Sequence, residues 1–469
     1  MTSPLLYLPF KVPIRYDLTQ PLANWLDDDE SQVAFHNNNQ SSSGGFSSSQ
    51  ADAAPSMILP KPAYGSARCR SELLRIAALR NCLSEFLQDS HRSALEEHKM
   101  LRDCQDYHAT LLEFEKRGFP TGNADEENGI LLTWRGAFSD DIVVDSENNK
   151  SKSQSKSKTT NGTEYEYQYQ YQYEYECEYY EPQKAGGNRG APETHHTLLW
   201  DRACTLWNIA ALRSASAALE TDDKTKEGLK SAISHLQQAA SHLSLCRQLL
   251  DFSGENEYVS TVDLSKPMLR FWETLLLAQA QSCIYKLANL GDGSGGSVVR
   301  NHTTLAYLIQ GAALLYNEAL TLAKDPRLQS ELPNRCKEWG AHCKARSLVC
   351  QARAYFHSSI ELRLTKDIGP EIARLRQAVA SLGSALDFCG SSSRSVAIVS
   401  TTTQPEAEGL LRLASDRLET AEADNRSVYL EDVPGAGDLP ELRAQTMVKG
   451  ALPLPEAMLN PRVGLFEWE

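Results

Sequence analysis

The sequence predicts a mainly α-helical chain of stacked helical hairpins, a solenoid whose small strand content sits near its N-terminus. Two observations carry this expectation. From Leu198 almost to the end, apolar residues recur at three- and four-residue steps in successive segments of roughly six to eight turns, with alanine at many contact positions. Within them, Met268–Leu290 carries two apolar stripes, Leu269, Trp272, Leu276, Ala280, Cys283, Leu287 and Leu290 beside Met268, Phe271, Leu275, Ala278 and Tyr285. A helix with two such stripes is central, packed on more than one side. No strict repeat links the segments, so a plain repeat array is not expected.

Each element has its own signal. Leu6, Leu8, Phe10 and Val12 alternate with polar residues, and Asp17 or Thr19 can cap a short helix with Leu18, Leu22, Trp25 and Leu26 inward. Residues 27–60 turn to Asp, Asn, Ser and Gly, and are expected to be a disordered insertion because they cannot bury enough apolar area to offset ordering entropy. Ser71–Arg117 reads as two helices broken near Ser90–Ser93. Ile130–Trp134, between Asn128-Gly129 and Gly136, is the best strand candidate, a partner for the N-terminal extended segment. Residues 145–194 are low complexity, a Ser/Lys tract followed by tyrosines alternating with Glu or Gln. Such alternation could be a half-buried hairpin, but regular repeats between polar flanks favour a solvated insertion.

Helices are then expected over Leu198–Leu219, Lys226–Leu250, Met268–Leu290, Thr303–Ala323, Asn334–Leu364, Gly369–Ala385 and Ala407–Ala423. Pro370 falls at a first-turn position. The breaks are Gly291–Gly296 and the Ser/Thr-rich Gly390–Pro405. Residues 424–469, rich in Pro and Gly, are expected to run extended and pack back on a single domain spanning 1–469. The hairpin pattern is of the tetratricopeptide kind.

Composition narrows function. A net charge of −14 argues against a nucleic-acid phosphate binder and a general polybasic membrane anchor. No apolar run approaches the ~20 residues of a membrane-spanning helix, and the N-terminus makes a poor secretory signal. Eleven cysteines contain no CxxC pair. Cys336, Cys343 and Cys350, spaced by seven, read as core positions of one helix, so reduced thiols in an intracellular protein are expected. No phosphate-loop, GxSxG, HExxH or dinucleotide motif occurs. His342-Cys343 would need an arginine six residues beyond the cysteine to resemble a cysteine phosphatase, and Val349 stands there. No enzyme activity, cofactor or metal is expected.

One anomaly remains on the central helix. Arg270, Glu273, Leu277, Gln281 and Ile284 share a narrow sector in which two large apolar residues sit among charged and amide ones. Either the core stripe is wider here, or the least buried face is adhesive.

Five stretches then resemble the Bro-one domain family, the boomerang-shaped helical domain of Alix-like ESCRT adaptors. They are YDLTQPLANWL at Tyr16–Leu26, CTLWNIAAL at Cys204–Leu212 with EGLK from Glu227, LLAQAQ at Leu276–Gln281, EIARLRQA at Glu371–Ala378, and DNRSVYLEDVP at Asp424–Pro434 followed by MVK at Met447–Lys449. The resemblance implies a helical solenoid with a small N-terminal β-sheet and a role in binding rather than catalysis. It implies a concave groove for the amphipathic C-terminal helix of an ESCRT-III subunit, a cytoplasmic protein recruited to endosomes in multivesicular body formation, and peripheral association with the endosomal membrane. Matched residue by residue, the groove falls on Lys230, on Ile284 after LAQAQ, and on Leu305 and Ile309, placed by counting back from Tyr316. Tyr429 takes the position of a convex-surface tyrosine with a regulatory role. The alternative is a scaffold of the same fold for a signalling or ubiquitin-pathway partner, with residues 145–194 as its docking segment.

Overall fold

The computed structural model describes residues 8–9, 11–13, 74–82, 94–116, 132–138, 193–195, 198–222, 225–252, 261–290, 301–390 and 403–450. The expected insertion at 27–60, the short capped helix after Asp17 and nearly all of 145–194 lie outside these residues.

The described chain is mainly helical. In order the helices are α1 (Ala94–Lys116), α2 (Leu198–Asp222), α3 (Lys226–Phe252), α4 (Lys266–Leu290), α5 (His302–Leu322), α6 (Pro326–Glu331), α7 (Pro333–Thr365), α8 (Ile368–Gly390) and α9 (Gln404–Asp424). One π-helical turn, Asn425–Tyr429, extends α9. Residues 74–82 are also helical. Each long helix packs against the next, α1 on α2 and so on to α9, with α7 following α5. The pairings of Arg247 with Glu273 and of Asp251 with Lys266 set α3 and α4 antiparallel. Three short strands, β1 (Val12–Pro13), β2 (Leu132–Arg135) and β3 (Glu193–His195), pair antiparallel in that order, Pro13 opposite Trp134 and Trp134 opposite Glu193.

The boundaries follow local chemistry. The Asn301 side chain accepts the Thr304 amide at 2.9 Å and starts α5. The one-turn helix α6, which periodicity passes over, is set by Asp325 accepting from the Arg327 amide and by Pro326 in its first turn. Proline at the first turn also starts α9 at Gln404, so Pro405 opens that helix rather than closing the break before it. Lys366, at φ 68°, ends α7 in the left-handed conformation.

Helix α4 is central. Met268, Leu269, Phe271, Trp272, Leu275, Leu276, Ala278, Ala280, Cys283 and Tyr285 are all buried, and the stripe fades only at Leu287 and the exposed Leu290. Phe271 stacks on Trp339 at 5.0 Å between ring centres, and Trp272 and Phe138 meet the same indole edge-on. Cys336, Cys343 and Cys350 are buried along α7, as their spacing predicts.

The N-terminal segment is tied to α2 by polar contacts. Asn208 accepts the Lys11 amide and donates to its carbonyl, both at 2.8 Å, while Trp207 Nε1 donates to the Pro9 carbonyl. Lys11 Nζ pairs with Asp263 at 2.7 Å with both side chains buried. Burial alone would raise the Asp263 carboxyl, but the ammonium and hydrogen bonds from Lys11, with further hydrogen bonds, hold it below its usual value.

Three buried histidines make stability depend on pH. Burial pulls His108 down to about 3, helped by Arg202 and His242. Burial likewise takes His242 to about 4 and His342 to about 3. Depressed folded values mean that the unfolded chain protonates first, so this stability is complete above about pH 6.5 and is lost progressively as pH falls toward about 3. The urea midpoint is therefore expected to be lower at pH 5 than at pH 7.5. A His242→Phe variant should show a shallower decline, and an unchanged slope would remove His242 from the account.

Candidate docking face and its strap

The sector of α4 that looked anomalous in sequence faces the chain's own C-terminal segment. Residues 435–450 run as an irregular extended strap across the helices, satisfied largely by side-chain amides. On α8, Gln377 Nε2 donates to the Ala436 carbonyl at 3.1 Å and the Arg374 guanidinium to the Pro440 carbonyl. On α5, the Tyr307 carbonyl accepts the Gln445 amide at 2.9 Å. On α4, Gln281 Nε2 donates to the carbonyls of Leu308 and Gln445, both at 3.0 Å, while Gln281 Oε1 accepts the Met447 amide at 2.8 Å. On α3, Gln237 Oε1 accepts the Lys449 amide at 3.0 Å.

Gly311 lets the strap come this close. A Cβ there would lie 2.5 Å from the Gln445 carbonyl oxygen. Leu442 and Val448 tuck half-buried against the core, and Gly450 lies beside Leu277 and Glu273. Leu277 is thus half-buried, packed against the core with the end of the strap beside it. Glu273, half-buried and 3.5 Å from Arg247, is raised by burial despite that neighbour.

The expected groove residues can be placed relative to this strap. Lys230 is exposed on α3, seven residues before Gln237 and so on the same helix face, about 10 Å along the axis. Ile284 is half-buried on α4, three residues after Gln281 and about 4.5 Å along. Because α3 and α4 are antiparallel, both steps lead to the same side of the strap. Leu305 and Ile309 do not join them. Each is 3% exposed in the main hydrophobic core. The register is the reason: on α5 the strap meets Tyr307 and Gly311, and the open position on the Ile284 side is Thr304. Tyr429 is exposed on the π turn with the Arg363 guanidinium 5.9 Å from its ring centre, on an element remote in sequence from α3 and α4.

Gln237 and Gly311 are strap-holding residues that reasoning from sequence passed over, and Gln281 was named there only as a member of the α4 sector. Their signals were present, an amide inside LAQAQ and a glycine in the middle of an apolar helix.

The His342-Cys343 pair is buried within α7, where burial pushes the Cys343 thiol well above its ordinary range and away from thiolate chemistry. Among the described residues no cluster of His, Cys, Asp or Glu is arranged to hold a metal ion, and no helix is long and apolar enough to cross a membrane.

Comparison with known proteins agrees with this architecture. A family model described as BRO1-like domain matches residues 164–466. The pH-response regulator protein palA/RIM20 of Emericella nidulans is 28% identical over 268 residues, covering 57% of this chain and 29% of that protein. Tyrosine-protein phosphatase non-receptor type 23 of Mus musculus is 25% identical over 279 residues, 58% of this chain and 15% of that protein. This chain therefore matches less than a third of either relative. Among solved structures, the ALIX BRO1 domain in its CHMP4C complex superposes with a TM-score of 0.65 at 19% identity, over 99% of both chains.

Proposed function

The chain belongs to the BRO1-like domain family, and from that premise we propose a non-catalytic adaptor whose α3–α4 face receives the amphipathic C-terminal helix of an ESCRT-III subunit. The observation that carries the reading is the shared placement of Lys230 and Ile284 on one side of the strap, an exposed cation beside a half-buried aliphatic. That combination suits a helix with one apolar stripe flanked by acidic residues. Leu305 and Ile309 enter as support from beneath, fixing the backbone of α5. The likeness to an ALIX domain in complex with CHMP4C supports the kind of partner. On this reading the three short strands are the family's small N-terminal sheet, the helices its solenoid, and the protein acts in the cytoplasm, recruited to endosomes and their membrane during multivesicular body formation.

A fluorescent peptide carrying an ESCRT-III C-terminal helix is expected to bind with a Kd on the order of micromolar, as for a small groove with few anchor residues. Ile284→Asp should weaken it at least tenfold while the far-UV CD spectrum stays unchanged. A folded variant that binds as well as wild type would refute the site.

A second reading is a scaffold for a signalling partner, favoured by relatives that are pH-response regulators. It predicts partner capture that depends on residues 145–194 and is indifferent to Ile284→Asp.

A further inference from the structure

Away from the strap, a cleft of about 460 Å³ opens between the last turns of α4, the first turn of α5, the middle of α7 and the start of α9. Phe356, Ile360, Leu410 and Leu413 give it an apolar wall. Opposite stands a hydrogen-bonded chain, the Tyr285 hydroxyl 2.7 Å from His357 Nε2 and His357 Nδ1 3.0 Å from His302 Nδ1. The facing nitrogens of the two rings share one hydrogen.

Charge is out of balance here. Glu406 accepts from Arg346 at 2.6 Å through one oxygen and from Arg353 at 2.8 Å through the other. Two guanidinium groups meet one carboxylate, and the Arg346 side chain is only 4% exposed. Arg353, 21% exposed and with its guanidinium 5.7 Å from the centre of the Tyr285 ring, brings the second positive charge to the cleft. Lys286 adds positive potential at Glu406, and the N-terminal turns of α5 and α9 contribute partial charge of the same sign.

We propose that this cleft binds a small amphipathic monoanion, a carboxylate on an aliphatic or aromatic body, with the carboxylate against Arg353 and the body along Phe356, Ile360, Leu410 and Leu413. The single surplus charge favours a carboxylate over a phosphate monoester, whose charge near −2 would overshoot it. The volume is that of a small-molecule site. This site is separate from the proposed helix-docking face and does not depend on it.

The test is ligand-observed NMR on the full chain with octanoate, octan-1-ol and inorganic phosphate as probes. Octanoate should bind saturably, roughly millimolar or tighter, with octan-1-ol and phosphate at least tenfold weaker. Leu413→Asp, at a position 59% exposed, should abolish octanoate binding without lowering the melting temperature. Arg353→Gln should reduce it, and if that variant fails to fold, Leu413→Asp decides. Absence of saturable octanoate binding, equal binding of octan-1-ol, or octanoate binding unchanged in Leu413→Asp would each overturn the proposal.

Discussion

Replacing Asp201 with alanine is expected to destabilise the fold by about 3–5 kcal/mol, the range for removing one partner from a buried ion pair. Asp201 is buried on α2 and gathers three separate stretches of chain. Arg80 Nη1 donates to Oδ1 at 3.2 Å from the helical segment 74–82, Trp134 Nε1 to the same oxygen at 2.7 Å from β2, and the Tyr107 hydroxyl to Oδ2 from α1. Alanine would strip the carboxylate from a guanidinium with no exposed surface and leave an indole N–H and a phenol to find other acceptors. Asp201→Asn keeps acceptor capacity but not charge and should recover part of the loss. Urea denaturation checks both. A loss below about 1 kcal/mol for Asp201→Ala would mean that the network contributes little.

Gly311→Val is expected to lift the strap rather than unfold the helices. The added Cβ would lie 2.5 Å from the Gln445 carbonyl oxygen and 2.9 Å from its carbon, and backbone atoms cannot swing aside as a side-chain tip can. Displacement there breaks the Gln445 amide bond to Tyr307 and both strap bonds of Gln281. At about 1 kcal/mol per hydrogen bond the cost is about 2–3 kcal/mol. Trypsin should then cut at Arg443 or Lys449 well before the helices, whose CD signal is retained. If cleavage there is no faster than in wild type, the strap tolerates the extra atoms and the close approach is not limiting.

Much of this architecture was legible in the sequence, for physical reasons that also explain the gaps. Helix α4 announced itself because two apolar stripes at helical spacing leave few other ways to hide Phe271, Trp272 and Leu276. The cysteines at 336, 343 and 350 fell where a seven-residue step puts them. Leu305 and Ile309 are core residues that periodicity could not separate from open ones, because TLAYLIQGAALL is apolar around most of its circumference. Counting from Tyr316 could not mend that, since a residue or two of register decides between core and surface in a helix. The segment expected to run extended over 424–469 starts as helix instead, through Asp424 and the π turn Asn425–Tyr429, and the strap is residues 435–450. Its path depends on where Gln237, Gln281 and Tyr307 come together, a tertiary fact invisible to local pattern. Leu277, whose polar neighbours left a wider core stripe and an adhesive face both open, packs half-buried against the core with the end of the strap beside it.

A stack of helices in which each touches mainly the next resembles a one-dimensional lattice, and such a lattice can fray from either end while its middle persists. The strap adds couplings of longer range. One short piece of backbone is bonded in turn to α8, α5, α4 and α3, so opening any one of these helices also breaks contacts that hold the others. The array from α3 to α8 should therefore exchange its slowest amide hydrogens as one unit, with protection rising and falling together rather than graded along the stack.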